Sequence, residues 1–507
     1  MFTRQITISW FLNYVNMGMG LIFTLFLTPF IIRGLGQNEF GIYSLIGSFA
    51  AYLYLLEFGM GAAVVRYVAK YNAENDDRGR ENFLAMILYI HIIVAALIML
   101  TGFFLTTQLD TIFSASLTNE ADIKKAIIMM SILTVSLSIT TITNVFVGIL
   151  NGYEQFIFPR VVSTLSWIGR ILATIIILIQ TPTAVAITIV SAGFAVFSGA
   201  VNAYYAVRKY KVKIRLHMWQ KGLLKEVLSF SFYNFLLQIM GLLYWNIGIM
   251  IVGMRMSAAA AGIYAIGIQL NLFALQFSNS INNLFLPHAT KMMVNNSTNE
   301  DSTIFVAKIG RIILMLYGGI CLGFLFLGKS FIRLWAGEGY DGAYYVTLIA
   351  LAAAAIPRIQ SGMNNVLKAK NLQRVPAFAY AASAALSVPI SWLLSESYGL
   401  IGIISGAGAG LVIGNVIIAN IYFKKYVGID LRMLFSRLFA GTPMVVLCTA
   451  LAGCAANLIP GISVKIFLLQ CLIFTFVYVS AIFIFGLTHE ERTAVDGFLK
   501  KGAWGTN

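Results

Sequence analysis

Charge is scarce in this 507-residue chain. Only 11% of its residues are Asp, Glu, Lys or Arg, against roughly 25% in soluble domains, which excludes a water-soluble enzyme. Cysteine is nearly absent too. Cys321, Cys448, Cys454 and Cys471 all lie in apolar segments, without metal-ligand spacing or paired partners outside them, so neither a disulfide framework nor a metal centre is expected. Regular alternation of polar and apolar residues is missing: residues 6–32 run without a charge, whereas barrel strands alternate over about ten residues. A secretory leader is not expected either. Only Arg4 precedes that run, which far exceeds the roughly 7–15 residues of a leader's apolar region, so it stays as the first span.

What the chain has is apolar length. Hydrophobic residues make up 59% and the mean hydropathy is +0.83. Because one helical crossing takes about 20 apolar residues, the uncharged runs predict an all-α polytopic membrane protein. Fourteen spans are expected, near residues 6–32, 41–65, 83–106, 126–150, 161–181, 184–207, 228–253, 262–287, 309–328, 344–366, 376–394, 400–423, 439–459 and 465–486. An even count places both termini on one side. With that side cytoplasmic, the inner segments hold 26 Lys and Arg and the outer loops 7, as the positive-inside rule requires. The net charge of +15 is thus a topology signal, not a nucleic-acid footprint. The expected location is the cell (inner) membrane.

The richest loop, residues 208–226, carries seven basic residues with Trp219, Leu223 and Leu224. It suits a helix lying on an anionic inner leaflet, or a solvated loop that enforces topology. An internal repeat is legible beside it. Gly41-Ile42-Tyr43 recurs as Gly262-Ile263-Tyr264, Lys70 matches Lys291 at the same offset, and Leu150 and Pro159 match Leu367 and Pro376. Such repeats build many transporters. The expected organisation is an N-lobe over residues 1–207 (spans 1–6), a basic cytoplasmic connector over 208–226, a C-lobe over 227–423 (spans 7–12), and a last pair of spans with a cytoplasmic tail over 424–507.

The stretch Arg33-Gly34-Leu35-Gly36-Gln37-Asn38-Glu39-Phe40-Gly41-Ile42-Tyr43, then Glu57-Phe58-Gly59 and Arg66-Tyr67-Val68-Ala69-Lys70-Tyr71, resembles the opening of the polysaccharide-export family of lipid-linked oligosaccharide flippases. Lys221-Gly222-Leu223-Leu224-Lys225-Glu226-Val227-Leu228-Ser229-Phe230 is similar to that family's entry into span seven. The family lies in the superfamily of the MATE multidrug exporters and the lipid II flippases. The resemblance implies two lobes around a central cavity that opens alternately to each side, and a cargo of oligosaccharide on a polyprenyl diphosphate. One departure stands out: family members often carry an acid late in span seven, whereas Trp245-Asn246-Ile247-Gly248 is uncharged.

Intramembrane ionisable residues cost about 2.5–3.5 kcal/mol each and usually face a cavity or a partner. Here they are Arg33, Glu57, Arg66, Arg170, Arg255, Arg311 and Arg358, and a cationic lining suits a diphosphate, which guanidinium binds in bidentate fashion. Arg170 and Arg358 lie mid-span without a neighbouring acid, and Arg358 follows Pro357, which breaks the helix ladder. These two are the primary diphosphate candidates; pairing with backbone carbonyls is the alternative. Arg33, Arg66, Arg255 and Arg311 lie near the interface, where snorkelling also accounts for them. Glu57 is the one intramembrane carboxylate and the candidate site for a coupling proton or sodium ion, the alternative being an ion pair with an arginine. Gln238, Asn246, Gln269, Asn271, Gln276 and Asn279 form a polar lining for sugar hydroxyls or link helices to one another; Asn282 and Asn283 extend the run. His91 reads as an internally bonded residue.

Two further patterns are structural. Gly323-Phe324-Leu325-Phe326-Leu327-Gly328-Lys329-Ser330 fits the phosphate-loop pattern but lies at the end of a span rather than between a strand and a helix. Gly402, Gly406, Gly410 and Gly414 place glycine every four residues on one helix face, which permits close packing. The sequence therefore reads as a flippase moving a polyprenyl-diphosphate-linked oligosaccharide from the inner to the outer leaflet for surface polysaccharide assembly. It calls for no cofactor, nucleotide, nucleic acid or metal, and no enzymatic activity is expected. The rivals are an ion-coupled MATE-like drug exporter, which wants intramembrane carboxylates, and a membrane-embedded sugar transferase or polymerase, which wants a larger outer catalytic loop.

Overall fold

The computed structural model describes residues 2–493 except 286, 287, 290, 293–297, 371, 373, 462 and 490. The predicted tail beyond 493 and the side chain of Asn283 lie outside the described residues. Every regular element described is helical, because a bilayer leaves no water to satisfy backbone groups and a helix pairs them within itself. Polar residues at the ends close the ladders. Asp76, Asn119, Thr183 and Ser463 each accept a backbone N–H at a helix start, and Thr298 with Asp301 forms a reciprocal capping box.

The chain divides into two compact units, Met1–Ala265 and Ile266–Asn507. The first contains α1 (Phe2–Leu53), α2 (Gly61–Ala73), α3 (Asp77–Thr106), the short α4 (Leu109–Ile112), α5 (Glu120–Gly152), α6 (Ile157–Gln180), α7 (Ala184–Lys209), α8 (Lys221–Trp245), α9 (Ile247–Arg255) and the start of α10 (Ala258–Leu284). Thus α8 and α9, which the repeat assigns to the C-lobe, group with the first unit. Helix α5 is its centre, packed most extensively on α7 and α3. Small residues permit that approach: a Cβ on Gly148 would lie 2.9 Å from the Val64 side chain, and Gly152 meets Val68 in the same way.

The second unit continues with α11 (Asn299–Trp335), α12 (Gly342–Ile359), α13 (Gly362–Ala369), α14 (Arg374–Val412), a widened helical continuation to 427, α15 (Leu431–Leu438), α16 (Thr442–Asn457) and α17 (Val464–Ala481). The glycine stripe packs as its spacing implies. Gly402, Gly406 and Gly410 have no room for a methyl group beside Leu394, Ser391 and Ser387, and the Ser391 hydroxyl donates to the Ile403 carbonyl at 2.9 Å. The phosphate-loop lookalike, residues 323–330, is continuous helix within α11.

Twelve stretches among the described residues are long and apolar enough to cross a membrane. Two of them, Thr24–Ala73 and Pro376–Val427, run for 50 and 52 residues, more than twice the roughly 20 that one crossing needs. Each bends at a left-handed glycine, Gly36 at φ 74° and Gly399 at φ 56°. An L side chain disfavours that conformation, so these two positions let the helix kink without a loop.

Of the two forms expected for the connector, residues 211–220 take that of a loop. These residues form no regular element, in keeping with Lys211, Val212, Lys213, Ile214, Arg215 and Leu216, which alternate with period two rather than the 3.6 of a helix. Their end is pinned to α3: the His217 and Met218 amides both donate to Asn82 Oδ1, at 2.9 and 2.8 Å.

Candidate functional site

The six arginines have different surroundings. Arg311 in α11 is 5% exposed. Its Nε and Nη2 hold both Glu491 carboxylate oxygens at 2.7 and 2.9 Å, Nη1 reaches the Arg437 and Ala440 carbonyls, and Nη2 also reaches that of Gly486. All five donors are thereby engaged within the protein, and α11 is tied to the segments that flank α16 and α17. Glu491 feels opposing influences. Burial raises its pKa, but the Arg311 fork and Thr488 donors hold it below the ordinary carboxylate value.

Arg358 in α12 contrasts with this. Its Nη1 donates to the neutral Asn279 Oδ1 at 2.9 Å, while its buried Nε has no hydrogen-bond partner among the described residues. Pro357 sits within the helix, which ends at Ile359 and restarts at Gly362. The intervening turn carries two more buried orphans, Gln360 Oε1 and Ser361 Oγ. Gln360 Nε2 donates to Asn420 Oδ1 at 2.9 Å, and Asn365 Nδ2 donates to the Asn282 carbonyl at 3.0 Å. The result is a cationic, amide-rich break in an apolar helix.

In the first unit, Arg170 lies 4.2 Å above the Trp167 ring and forms no hydrogen bond or ion pair with the described residues. Arg66 is exposed and stacks on Phe230 at 4.8 Å. Arg33 is exposed near the Gly36 bend, and Arg255 closes the last turn of α9, where a cation complements the helix dipole. Arg33 and Arg255 have further partners of their own.

Glu57 is 3% exposed and ends a short 3-10 turn, Tyr54–Glu57, followed by two left-handed residues, Phe58 and Gly59. Phe58 stacks on Phe235 at 4.3 Å, and a Cβ on Gly59 would lie 2.9 Å from that of Asn234 and 3.1 Å from Gln238 Nε2. The bend is therefore fitted closely to α8. Glu57 Oε2 is buried without a partner, and no arginine pairs with the carboxylate among the described residues. His91 makes one bond, its Nδ1–H donating to the Ile87 carbonyl at 2.8 Å, and its Nε2 has no partner among the described residues. Of the amides, Asn271 is fully buried with both polar atoms unpartnered, Asn246 lines a cavity in the first unit, Gln238 and Gln269 are half-buried, and Gln276 and Asn279 are exposed.

The profile of the polysaccharide biosynthesis protein family matches residues 2–293. The chain belongs to that family. It is 22% identical over 439 residues to the uncharacterized membrane protein EpsK of Bacillus subtilis (strain 168), covering 84% of both chains. A proposed O-antigen transporter of Salmonella typhi is 20% identical over 415 residues, with 78% of this chain and 90% of that one covered. Among solved structures, the lipid II flippase MurJ in an inward closed conformation superposes with a TM-score of 0.64 at 16% identity, covering 92% of this chain and 98% of MurJ. An inward-facing MATE multidrug resistance transporter gives 0.65 at 14% identity, with 80% and 94% covered. These likenesses establish a MurJ- and MATE-like fold for this integral membrane protein.

Several residues that carry the polysaccharide biosynthesis resemblance prove to have structural tasks. Glu39 pairs with Lys125 at 2.7 Å and accepts the Ala184 N–H that opens α7, also at 2.7 Å. Gly41 abuts the Ala258 backbone, and a Cβ on Gly262 would lie 3.2 Å from the Gly41 Cα, so the two copies of Gly-Ile-Tyr meet. Tyr67 donates to Glu226 at 3.1 Å. What the sequence reading missed was Gln360, Ser361 and Asn365, although three polar residues just after Pro357 in an apolar run were a usable signal.

Proposed function

We propose that this member of the polysaccharide biosynthesis family is a flippase that carries a polyprenyl-diphosphate-linked oligosaccharide from the inner to the outer leaflet of the cell membrane by alternating access, with both termini cytoplasmic. The observation that carries the reading is Arg358. A buried charged donor without a partner costs more than the roughly 1–3 kcal/mol of a neutral one, so its retention in a span is explained by an anionic ligand. A phosphate satisfies Nε and a free Nη together, in the bidentate geometry that guanidinium favours, while Asn279 holds the other Nη in place. Arg170, stacked but not hydrogen-bonded, is the corresponding candidate in the first unit. Arg311 has its donors engaged, which makes it a structural pin. Asn271, Gln269, Gln276 and Asn279 offer amides to sugar hydroxyls.

We assign the coupling ion to Glu57, whose unpartnered Oε2 a proton or sodium ion would satisfy. A MATE-like exporter of cationic drugs would want several such carboxylates, and this chain has one. The deciding experiment reconstitutes the protein in liposomes and follows a fluorescent polyprenyl-diphosphate oligosaccharide from one leaflet to the other. Translocation that is lost in Arg358→Ala supports the reading. Failure of the wild type to move the probe, with export of a cationic dye instead, overturns it.

A further inference from the structure

A cavity of about 290 Å³ lies inside the first unit, among the second half of α1, α5, α7 and the start of α9. Its polar lining is Tyr43, Ser44, Ser48, Thr188, Ser191 and Asn246. The Ser48 hydroxyl lies 3.4 Å from both the carbonyl and the side-chain oxygen of Asn246, and Thr188 bonds back to the Ala184 carbonyl at 2.8 Å. The hydroxyls of Tyr43, Ser44 and Ser191 have no hydrogen-bond partner among the described residues. No charged side chain lines the space, so it cannot balance a metal ion or a phosphate. Ala51, Met129, Leu133 and Ile249 add apolar groups to the same lining.

We infer that this cavity is a subsite for one neutral sugar ring of the cargo. A pyranose is itself two-sided, with hydroxyls around its edge and C–H groups on its faces. Hydroxyl donors and acceptors beside apolar groups match both parts, and the volume gives room for about one ring. Gly47 makes the space. It stands on the lining, and a Cβ there would meet nothing within 4 Å. A larger side chain at 47 is thus placed on the lining with no neighbour at its Cβ. The inference rests on the flippase reading and deepens it, because it gives one sugar of the glycan a defined place within the first unit.

The test uses the full-length protein in proteoliposomes and two fluorescent polyprenyl-diphosphate probes, one carrying a single hexose and one carrying none. The wild type should move the hexose probe faster. Gly47→Leu should lower the hexose probe about tenfold relative to the bare one, the scale of losing one or two net hydrogen bonds, and Ser44→Ala with Ser191→Ala should lower it about threefold. Gly47→Ala, which leaves most of the space open, should stay near wild type. Equal wild-type rates for both probes overturn the subsite while leaving the flippase reading intact. An equal slowing of both probes by Gly47→Leu also overturns it, since the cavity would then serve the conformational cycle. Movement of neither probe by the wild type overturns the flippase reading and the subsite with it.

Discussion

Arg311 and Arg358 belong to the same unit and the same residue type, and both interrupt apolar helices, yet their surroundings are opposite. Around Arg311 the protein supplies a carboxylate fork and three backbone carbonyls at 2.6 to 3.0 Å. Around Arg358, among the described residues, it supplies one neutral amide oxygen and no partner for the buried Nε. A cation fully satisfied by its own protein is a fastener, because breaking it strands charges and carbonyls. A cation left incomplete in a span has donor capacity to spare, and it is this that the proposed function assigns to an anionic ligand.

The largest expected effect breaks the fastener. Arg311→Ala should cost about 3–5 kcal/mol, the usual penalty for removing one partner of a buried ion pair, read as a lower unfolding temperature in detergent and loss of protein from membranes. Arg358→Ala should do the reverse: the protein inserts and unfolds as wild type does, while translocation of the lipid-linked probe falls below detection. Arg358→Lys should restore only part of it, since a point charge lacks the fork. If Arg358→Ala destabilised the protein as much as Arg311→Ala, the contrast between the two residues would collapse.

A smaller effect concerns pH. Because Glu491 has a folded pKa held below its ordinary 4.5, its pairing with Arg311 contributes stability that is fully present above about pH 4.5 and is lost as pH falls through the lowered value. Glu491 is only partly buried, so screening limits the gain. Thermal unfolding followed from pH 7 to pH 3.5 should show a decline that Glu491→Gln removes; an unchanged profile in that variant would detach the fork from the stability of the C-terminal segments.

Glu57→Gln should abolish dependence on a proton or sodium gradient while sparing the response to a potassium diffusion potential. Unchanged ion dependence would make Glu57 part of the α1–α8 packing alone. The mildest perturbation tests topology. Cysteines at the exposed Thr118, Ser257 and Ser397 should react with an impermeant thiol reagent from outside, and one at Lys213 should not. Labelling of Lys213→Cys from outside would reverse the assignment.

Much of the fold was legible in the sequence because the bilayer imposes it. Uncharged runs must be helices in lipid, and the glycine spacing over residues 402–414 announced a tight helix pair whatever lay around it. The connector's basic content left two readings open, a surface helix and a loop, and its period-two pattern is what favours the loop. Asn82, which fixes its end, lies 135 residues away from His217 in the chain. The arginines show the same limit. Sequence placed all of them at or within spans and singled out Arg170 and Arg358 together, since both lie mid-span without a neighbouring acid. That Arg311 is tied down could not be read, because its acid is 180 residues away and its other partners are backbone carbonyls, which carry no sequence signature. Sequence by itself determined the helices and their apolar length, since these follow from local composition and period, while its motifs carried the family resemblance. Only the tertiary structure decided which buried polar groups are satisfied and which stand open, because satisfaction depends on partners that the chain brings together from far apart.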